Sequence, residues 1–172
     1  DLLTQFNTVD FSAGKQFVVL HQRGSHTPYG TYLSAEDASV FGNTVVDRYD
    51  ATILKTDELI RRVYESIRQK ELKNWLLIYT SDHGAYVTHQ TYNQGTVQWD
   101  SYTVPLFITS DNPEVMRSYR RVFDHDGPAF HQQLSTSLIQ LLGYDVEISD
   151  AQTATINGNM LTGDAGWMQH KI

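Results

Sequence analysis

Short apolar runs that alternate with a long amphipathic stretch constrain the fold of this chain most. Phe17 to Leu20 (FVVL) and Trp75 to Tyr79 (WLLIY) are β-branched, aliphatic and aromatic, and each predicts a buried strand. Between them, from Asn43 to Lys70, apolar residues recur at steps of three, four and seven, which predicts a long helix with one buried face. The succession strand, helix, strand is typical of α/β proteins, and right-handed crossovers then make the sheet largely parallel.

The rest of the chain fits the same class. Val104 to Ile108 predicts a third strand, Pro113 to Phe123 a helix that starts after Asn112, and Pro128 to Leu142 a further helix. Glycine-containing turns between short runs in residues 153–172 predict small antiparallel strands. The predicted fold is therefore a mostly parallel sheet flanked by helices, with a small antiparallel C-terminal element.

The amino-acid composition limits which classes of function this chain can have. A chain of 172 residues with 40% hydrophobic content can form one domain with a proper core, here residues 1–172. Its net charge of -7 repels polyanions, so we expect no nucleic-acid partner. The absence of cysteine excludes disulfides and thiolate metal sites. The opening DLLTQF is typical of the tail of a helix, and we expect residue 1 to be a boundary inside a larger protein.

Polar side chains follow both apolar runs, where ligands bind in open α/β sheets. Asp82 and His83 end the second run, and His21 and His26 follow the first. A carboxylate and imidazoles are ligands that zinc or manganese accepts. Two other interpretations stay open from the residues alone: Asp82 caps a neighbouring backbone N–H, and His21 is a hydrogen-bonded core histidine.

Four segments together resemble a known family. In order and spacing, VVLHQRGSHTPYG, NTVVDRYDATILKTDELI, LLIYTSDHG and TVPLFITS resemble the carboxyl half of the phosphoethanolamine transferases of the alkaline phosphatase and sulfatase superfamily. The resemblance covers residues 17–110. It implies an alkaline phosphatase/sulfatase-like fold, in which this chain is the C-terminal part of a catalytic domain whose N-terminal part and membrane anchor are absent here.

The resemblance also implies a reaction. Asp82 and His83 match the residues that bind the catalytic zinc, for which Mn²⁺ is a less favoured substitute, and His26 matches an active-site histidine that contacts substrate. In the family a threonine attacks phosphatidylethanolamine, holds the phosphoethanolamine covalently, and passes it to lipopolysaccharide (lipid A or core) or another envelope glycan. That threonine lies upstream of this chain, so we expect the fragment alone to be inactive. The implied location is the periplasmic face of the Gram-negative inner membrane.

Two departures from the family keep alternatives open. Ala85 follows the Asp-His-Gly motif where glutamate is usual, and Gln94 stands near the place of a family histidine. The Gln94 amide can hydrogen-bond a phosphoryl oxygen, and His89 from the same loop is a further candidate substrate contact. The alternatives are a phosphoglycerol transferase or sulfatase of the same superfamily, or a catalytically degenerate domain that binds a glycan or protein partner. No role is assigned to His125, His131 and His170.

Overall fold

The structure is a computed structural model that describes residues 1–94, 99–123, 129–148, 153–157 and 167–171. The chain divides into two compact units, Asp1–Lys73 with Tyr86–Asn93, and Asn74–Ala85 with Gln94–Ile172. The single domain expected over residues 1–172 stays a prediction. Among the described residues, no helix is both long enough and apolar enough to span a bilayer.

The helices and strands of the described residues follow in chain order. They are α1 (Leu2–Asn7), α2 (Ala35–Phe41), α3 (Val45–Gln69), β1 (Leu76–Thr80), β2 (Tyr86–Val87), β3 (Tyr92–Asn93), β4 (Leu106–Ser110), α4 (Pro113–Phe123), α5 (His131–Leu141), β5 (Thr153–Asn157) and β6 (Trp167–Lys171). Two short 3-10 helices, Tyr29–Tyr32 and Trp99–Ser101, lie in the connections.

Helix α3 organises the first unit. It begins at a capping box, in which the Thr44 hydroxyl accepts from the N–H of Asp47 and the Asp47 carboxylate accepts from the N–H of Thr44. The predicted amphipathic helix is confirmed over almost its whole length. Its buried residues are Ala51, Thr52, Thr56, Val63, Ser66 and Ile67.

Two contacts hold other parts of the first unit against α3. Lys55 Nζ lies 2.8 Å from Asp37 Oδ1, which ties α2 to α3. The buried ring of Tyr29 meets the rings of Tyr49 and Tyr92 edge-on, at centroid distances of 5.2 and 5.3 Å. Edge-to-face contacts of this kind add to the stability that burial provides. The hairpin that contains Tyr92 is thereby placed in the same unit as α3.

Strands β1 and β4 form one sheet of the second unit. They pair antiparallel from Leu76↔Ser110 to Thr80↔Leu106. Before β1, the Asp111 carboxylate accepts hydrogen bonds from the backbone N–H groups of Asn74 and Trp75, at 3.0 and 2.9 Å. These bonds fix the residues that enter β1 against the residue that leaves β4.

Three expectations meet different outcomes. The mostly parallel sheet is not shown, because every strand pair in the described parts of the chain is antiparallel. A parallel pair needs a crossover, usually helical, and the described residues between β1 and β4 contain no α-helix. The buried strand expected at Phe17 to Leu20 is wrong, since this segment is not a strand and Phe17 is 64% exposed. The antiparallel C-terminal element is confirmed by β5 and β6.

Candidate functional site

The turn after β1 presents the two residues expected to bind metal. Paired residues of β1 end at Thr80, and residues 81–85 form no strand. Within the turn, the Ser81 hydroxyl donates to the carbonyl oxygen of His83 at 2.9 Å, and the His83 N–H donates to Asp82 Oδ1 at 3.0 Å. These two hydrogen bonds within the turn stabilise it and orient the Asp82 carboxylate.

Gly84 closes the turn at a place where no side chain fits. Its N–H donates to the carbonyl oxygen of Ser101 at 2.9 Å. A Cβ at residue 84 would overlap the backbone carbonyl oxygens of Asp100 and Thr103. The glycine of the Asp-His-Gly motif is therefore required by the close approach of the segment around the 3-10 helix Trp99–Ser101.

The geometry of Asp82 and His83 fits a shared cation. His83 Nδ1 lies 2.8 Å from the carbonyl oxygen of Gly84, and because a carbonyl only accepts, Nδ1 bears the proton. In the neutral ring, Nε2 then keeps its lone pair and lies 3.8 Å from Asp82 Oδ2. Two ligand atoms of a tetrahedral zinc site lie about 3.3–3.6 Å apart, given bond lengths of about 2.0–2.2 Å. The separation of 3.8 Å between Asp82 Oδ2 and His83 Nε2 is close to this range.

The electrostatics of the turn favour the ionised carboxylate. Partial desolvation acts to raise the pKa of Asp82, but hydrogen bonds from the backbone and from Ser81, together with the charge that His83 has when its ring is protonated, outweigh it. The pKa of Asp82 is therefore below its ordinary value. A carboxylate must be ionised and an imidazole neutral to bind a metal, so only the hydrogen bonds from the backbone and from Ser81 support the proposed role of Asp82.

His26 lies in a turn of the first unit and is exposed. Its N–H donates to the carbonyl oxygen of Arg23 at 3.2 Å, and its Nδ1 lies 2.7 Å from the carbonyl oxygen of Thr27. The proton is thus on Nδ1, as in His83, and Nε2 of the neutral ring is free to accept a proton or a hydrogen bond.

The other two expected substrate contacts differ in their surroundings. His89 is exposed in the turn between β2 and β3 of the first unit. Hydrogen bonds from Thr44 lower the pKa of Asp47, and the charge of His89 adds to this effect. Gln94 is half-buried and belongs to the second unit. The substrate roles of His26, His89 and Gln94 stay predictions.

The structure brings Asp82 and His83 together, but it shows no complete metal-binding group. In the described ranges, no cluster of three or more histidine, cysteine, aspartate or glutamate side chains could hold a metal ion. Sequence analysis also missed a neighbour of the turn. His131, the first residue of α5, lies with Nε2 3.2 Å from Thr80 Oγ1. The two residues are 51 positions apart, and no local pattern links them.

The chain matches one protein family over most of its length. The model of the Sulfatase family matches residues 1–144, most of the chain. The chain therefore belongs to the sulfatase family, which confirms the resemblance to the alkaline phosphatase and sulfatase superfamily.

The names of three curated relatives indicate which members of the family the chain is similar to. A Haemophilus influenzae protein provisionally named a phosphoethanolamine transferase is 34% identical over 96 residues, 49% of this chain and 20% of the relative. Proteins of Escherichia coli and Salmonella typhimurium, both named Kdo(2)-lipid A phosphoethanolamine 7''-transferase, are 22% and 23% identical over 154 residues, 76% of this chain and 27% of each relative. The chain thus spans about a fifth to about a quarter of these relatives. No solved structure matches the chain significantly.

Proposed function

We propose that this chain is part of a zinc-dependent phosphoethanolamine transferase that moves phosphoethanolamine from phosphatidylethanolamine to lipid A or another lipopolysaccharide acceptor. The relatives named as transferases to Kdo(2)-lipid A support the reaction class and the acceptor. The supporting observation in the structure is the separation of 3.8 Å between Asp82 Oδ2 and the unprotonated Nε2 of His83, on a turn fixed by Gly84. By the resemblance, the reaction takes place at the periplasmic face of the inner membrane.

The residues of the turn have distinct tasks in this proposal. Asp82 and His83 hold the ion, and the Gly84 carbonyl keeps the His83 ring in the tautomer that offers Nε2. A bound zinc supplies positive charge for the phosphoryl oxygens and activates an attacking hydroxyl. His26, which also carries its proton on Nδ1, offers the lone pair of Nε2 to a proton that is transferred. The nucleophilic threonine of the family is not assigned to any hydroxyl of this chain.

Zinc titration of the full-length protein tests the metal assignment. We expect Asp82→Asn and His83→Ala each to raise the Kd for zinc by at least roughly tenfold, because the first removes the negative charge of one ligand and the second removes the other ligand. A chelator should abolish transfer of phosphoethanolamine from phosphatidylethanolamine vesicles to lipid A, measured by mass spectrometry, and added zinc should restore it. Asp145→Asn, which changes an exposed carboxylate after α5, is the matched control and should leave the Kd unchanged.

Two results would contradict the proposal. If both ligand variants bind zinc as tightly as the parent protein, Asp82 and His83 are not the ligands. If the parent protein binds no zinc and transfers nothing, the alternative of a domain that binds a glycan or protein without turnover replaces the transferase.

A further inference from the structure

His131 connects α5 to the end of β1. Thr80 is the last paired residue of β1, and its Oγ1 lies 3.2 Å from His131 Nε2. Thr80 stands two positions before Asp82, so this contact fixes a side chain at the point where the chain leaves the sheet and enters the metal-binding turn.

The start of α5 is itself firmly placed. The Gln133 side chain accepts a hydrogen bond from the N–H of Phe130 at 2.9 Å, which closes the first turn of the helix. Gln133, Leu134 and Ser137 are buried, so this face of α5 is held by packing. Because the helix start is fixed in this way, the His131 ring can restrain Thr80 rather than move with it.

The turn between Thr80 and Gly84 is therefore held at both ends. At one end, Thr80 is restrained by the β4 ladder and by His131, and at the other the Gly84 N–H is bound to Ser101. Asp82 and His83 lie between these anchors. In the described part of the chain, His131 does not join them in a cluster of three possible metal ligands. Its contact is with the residue that precedes the turn.

We infer that His131 is a positioning residue for the metal-binding turn. By holding the Thr80 hydroxyl, it keeps the start of the turn in place and thereby maintains the separation between Asp82 Oδ2 and His83 Nε2. The inference rests on the proposed function, because it assigns His131 a task toward the ion that Asp82 and His83 bind. Groups that orient metal ligands from outside the ligand set commonly affect metal affinity by about 10–100-fold.

Zinc affinity of substituted full-length protein tests this role. We expect His131→Ala and Thr80→Val each to raise the Kd for zinc by about tenfold. The Kd of the double variant for zinc should be no higher than the higher of the two single-variant values, because both substitutions remove the same contact. His131→Gln, which keeps an amide N–H that can reach the Thr80 hydroxyl, should recover most of the affinity. Gln132→Ala, at the next exposed position of α5, is the matched control and should bind zinc like the parent.

The outcomes separate the two hypotheses. If His131→Ala and Thr80→Val lower only the unfolding temperature of the metal-free protein and leave the zinc Kd unchanged, His131 is merely structural and the inference is wrong. If the double variant loses the product of the two single effects, the residues act independently, which also overturns it. The proposed function fails separately, when Asp82→Asn and His83→Ala leave zinc affinity unchanged or the parent binds no zinc. In that case the positioning role fails with it.

Discussion

Gly84 determines whether the turn after β1 can form. The obstacle to a larger residue is steric, because any Cβ there meets two backbone carbonyl oxygens, those of Asp100 and Thr103. Backbone atoms cannot move aside as the end of a long side chain can. The requirement for glycine is thus set by the neighbouring segment rather than by the motif alone.

We expect Gly84→Ala to lower the free energy of unfolding by roughly 2 kcal/mol, the scale of overpacking in a closely packed place. It should also weaken zinc binding, because the segment after Asp82 and His83 must shift. Urea unfolding and zinc titration measure the two effects. Gly30→Ala is the matched control, since a Cβ at residue 30 meets only the Arg48 side chain, at 3.8 Å or more. Equal stability of the two variants would show that the turn tolerates a side chain.

The proposed metal-binding pair can be predicted from the sequence, but the contacts that support it cannot. Asp82 and His83 were recognisable because a polar motif directly follows an apolar run, and this signal is local. The contact of Thr80 with His131 joins β1 to a helix far along the chain, so no spacing rule indicates it. The requirement at Gly84 likewise comes from residues 100 and 103, whose approach is a tertiary feature.

At the scale of helices and strands, the Asp37 side chain has two functions at α2. The Asp37 carboxylate accepts from the N–H of Ser34 at the start of α2, and it also receives Lys55 Nζ from α3. The Lys55 hydrogen bond is the larger cause, and the bonds from Ser34 add to it, so that the pKa of Asp37 falls to about 2 from its ordinary value of 3.8. The same group thus begins one helix and holds it to the next.

The lowered pKa predicts a pH dependence. Because the folded protein holds the carboxylate ionised more strongly than the unfolded chain does, the contribution of Asp37 to stability is complete above pH 4. It is lost as the pH falls from about 4 to about 2. We therefore expect Asp37→Asn to be less stable than the parent at pH 6, with a difference that shrinks over this range.

Urea unfolding at several pH values measures this difference. Glu65→Gln, which removes the exposed pair of Glu65 with Arg61, is the matched control. It should show a much smaller loss at pH 6, because exposed ion pairs between neighbouring turns of a helix contribute little. An Asp37→Asn difference that stays constant from pH 6 to pH 2 would argue that the helix tie is not electrostatic.

The elements themselves were predictable where one local signal dominates. Helix α3 has a long apolar stripe, and α4 has a cap and a proline at its start, so both were expected from the sequence. Helix α2 was missed although Ser34 and Asp37 form a capping box, because its few apolar residues give no clear stripe. Strand direction was not predictable, because an apolar run shows that a segment prefers to be extended but not which strand it pairs with.

Across the whole molecule, apolar surface is exposed on a segment that lies outside the helices and strands. Val19 is 71% exposed and Phe17 is 64% exposed. Among the described residues, the segment from Phe17 to Leu20 forms no backbone hydrogen bond to a strand. Exposed apolar segments promote association between copies of a chain.

We expect the double substitution Phe17→Ser and Val19→Ser to weaken self-association of this chain by roughly tenfold or more. A buried apolar side chain contributes about 1.5–3 kcal/mol, and 1.4 kcal/mol changes an association constant about tenfold. Sedimentation velocity over a range of concentrations measures the change. Val40→Ser is the matched control, because Val40 is 70% exposed but lies in α2, where backbone groups are paired within the helix. A similar effect of both changes would mean that hydrophobicity alone, and not the lack of secondary structure in this segment, drives association.

The position of Asp82 directly before His83 has a consequence for assembly. Two donors on neighbouring residues form a small chelate ring, and closing so short a loop costs little chain entropy. The local backbone therefore limits the range of their spacing, and the contacts of Thr80 and Gly84 then hold it. Any donor from the first unit, such as His26, depends instead on how the polypeptide is arranged over long range. Under the proposed function, Asp82 and His83 by themselves bind zinc weakly. Tighter binding would then indicate that the remainder of the catalytic domain has assembled around these two residues.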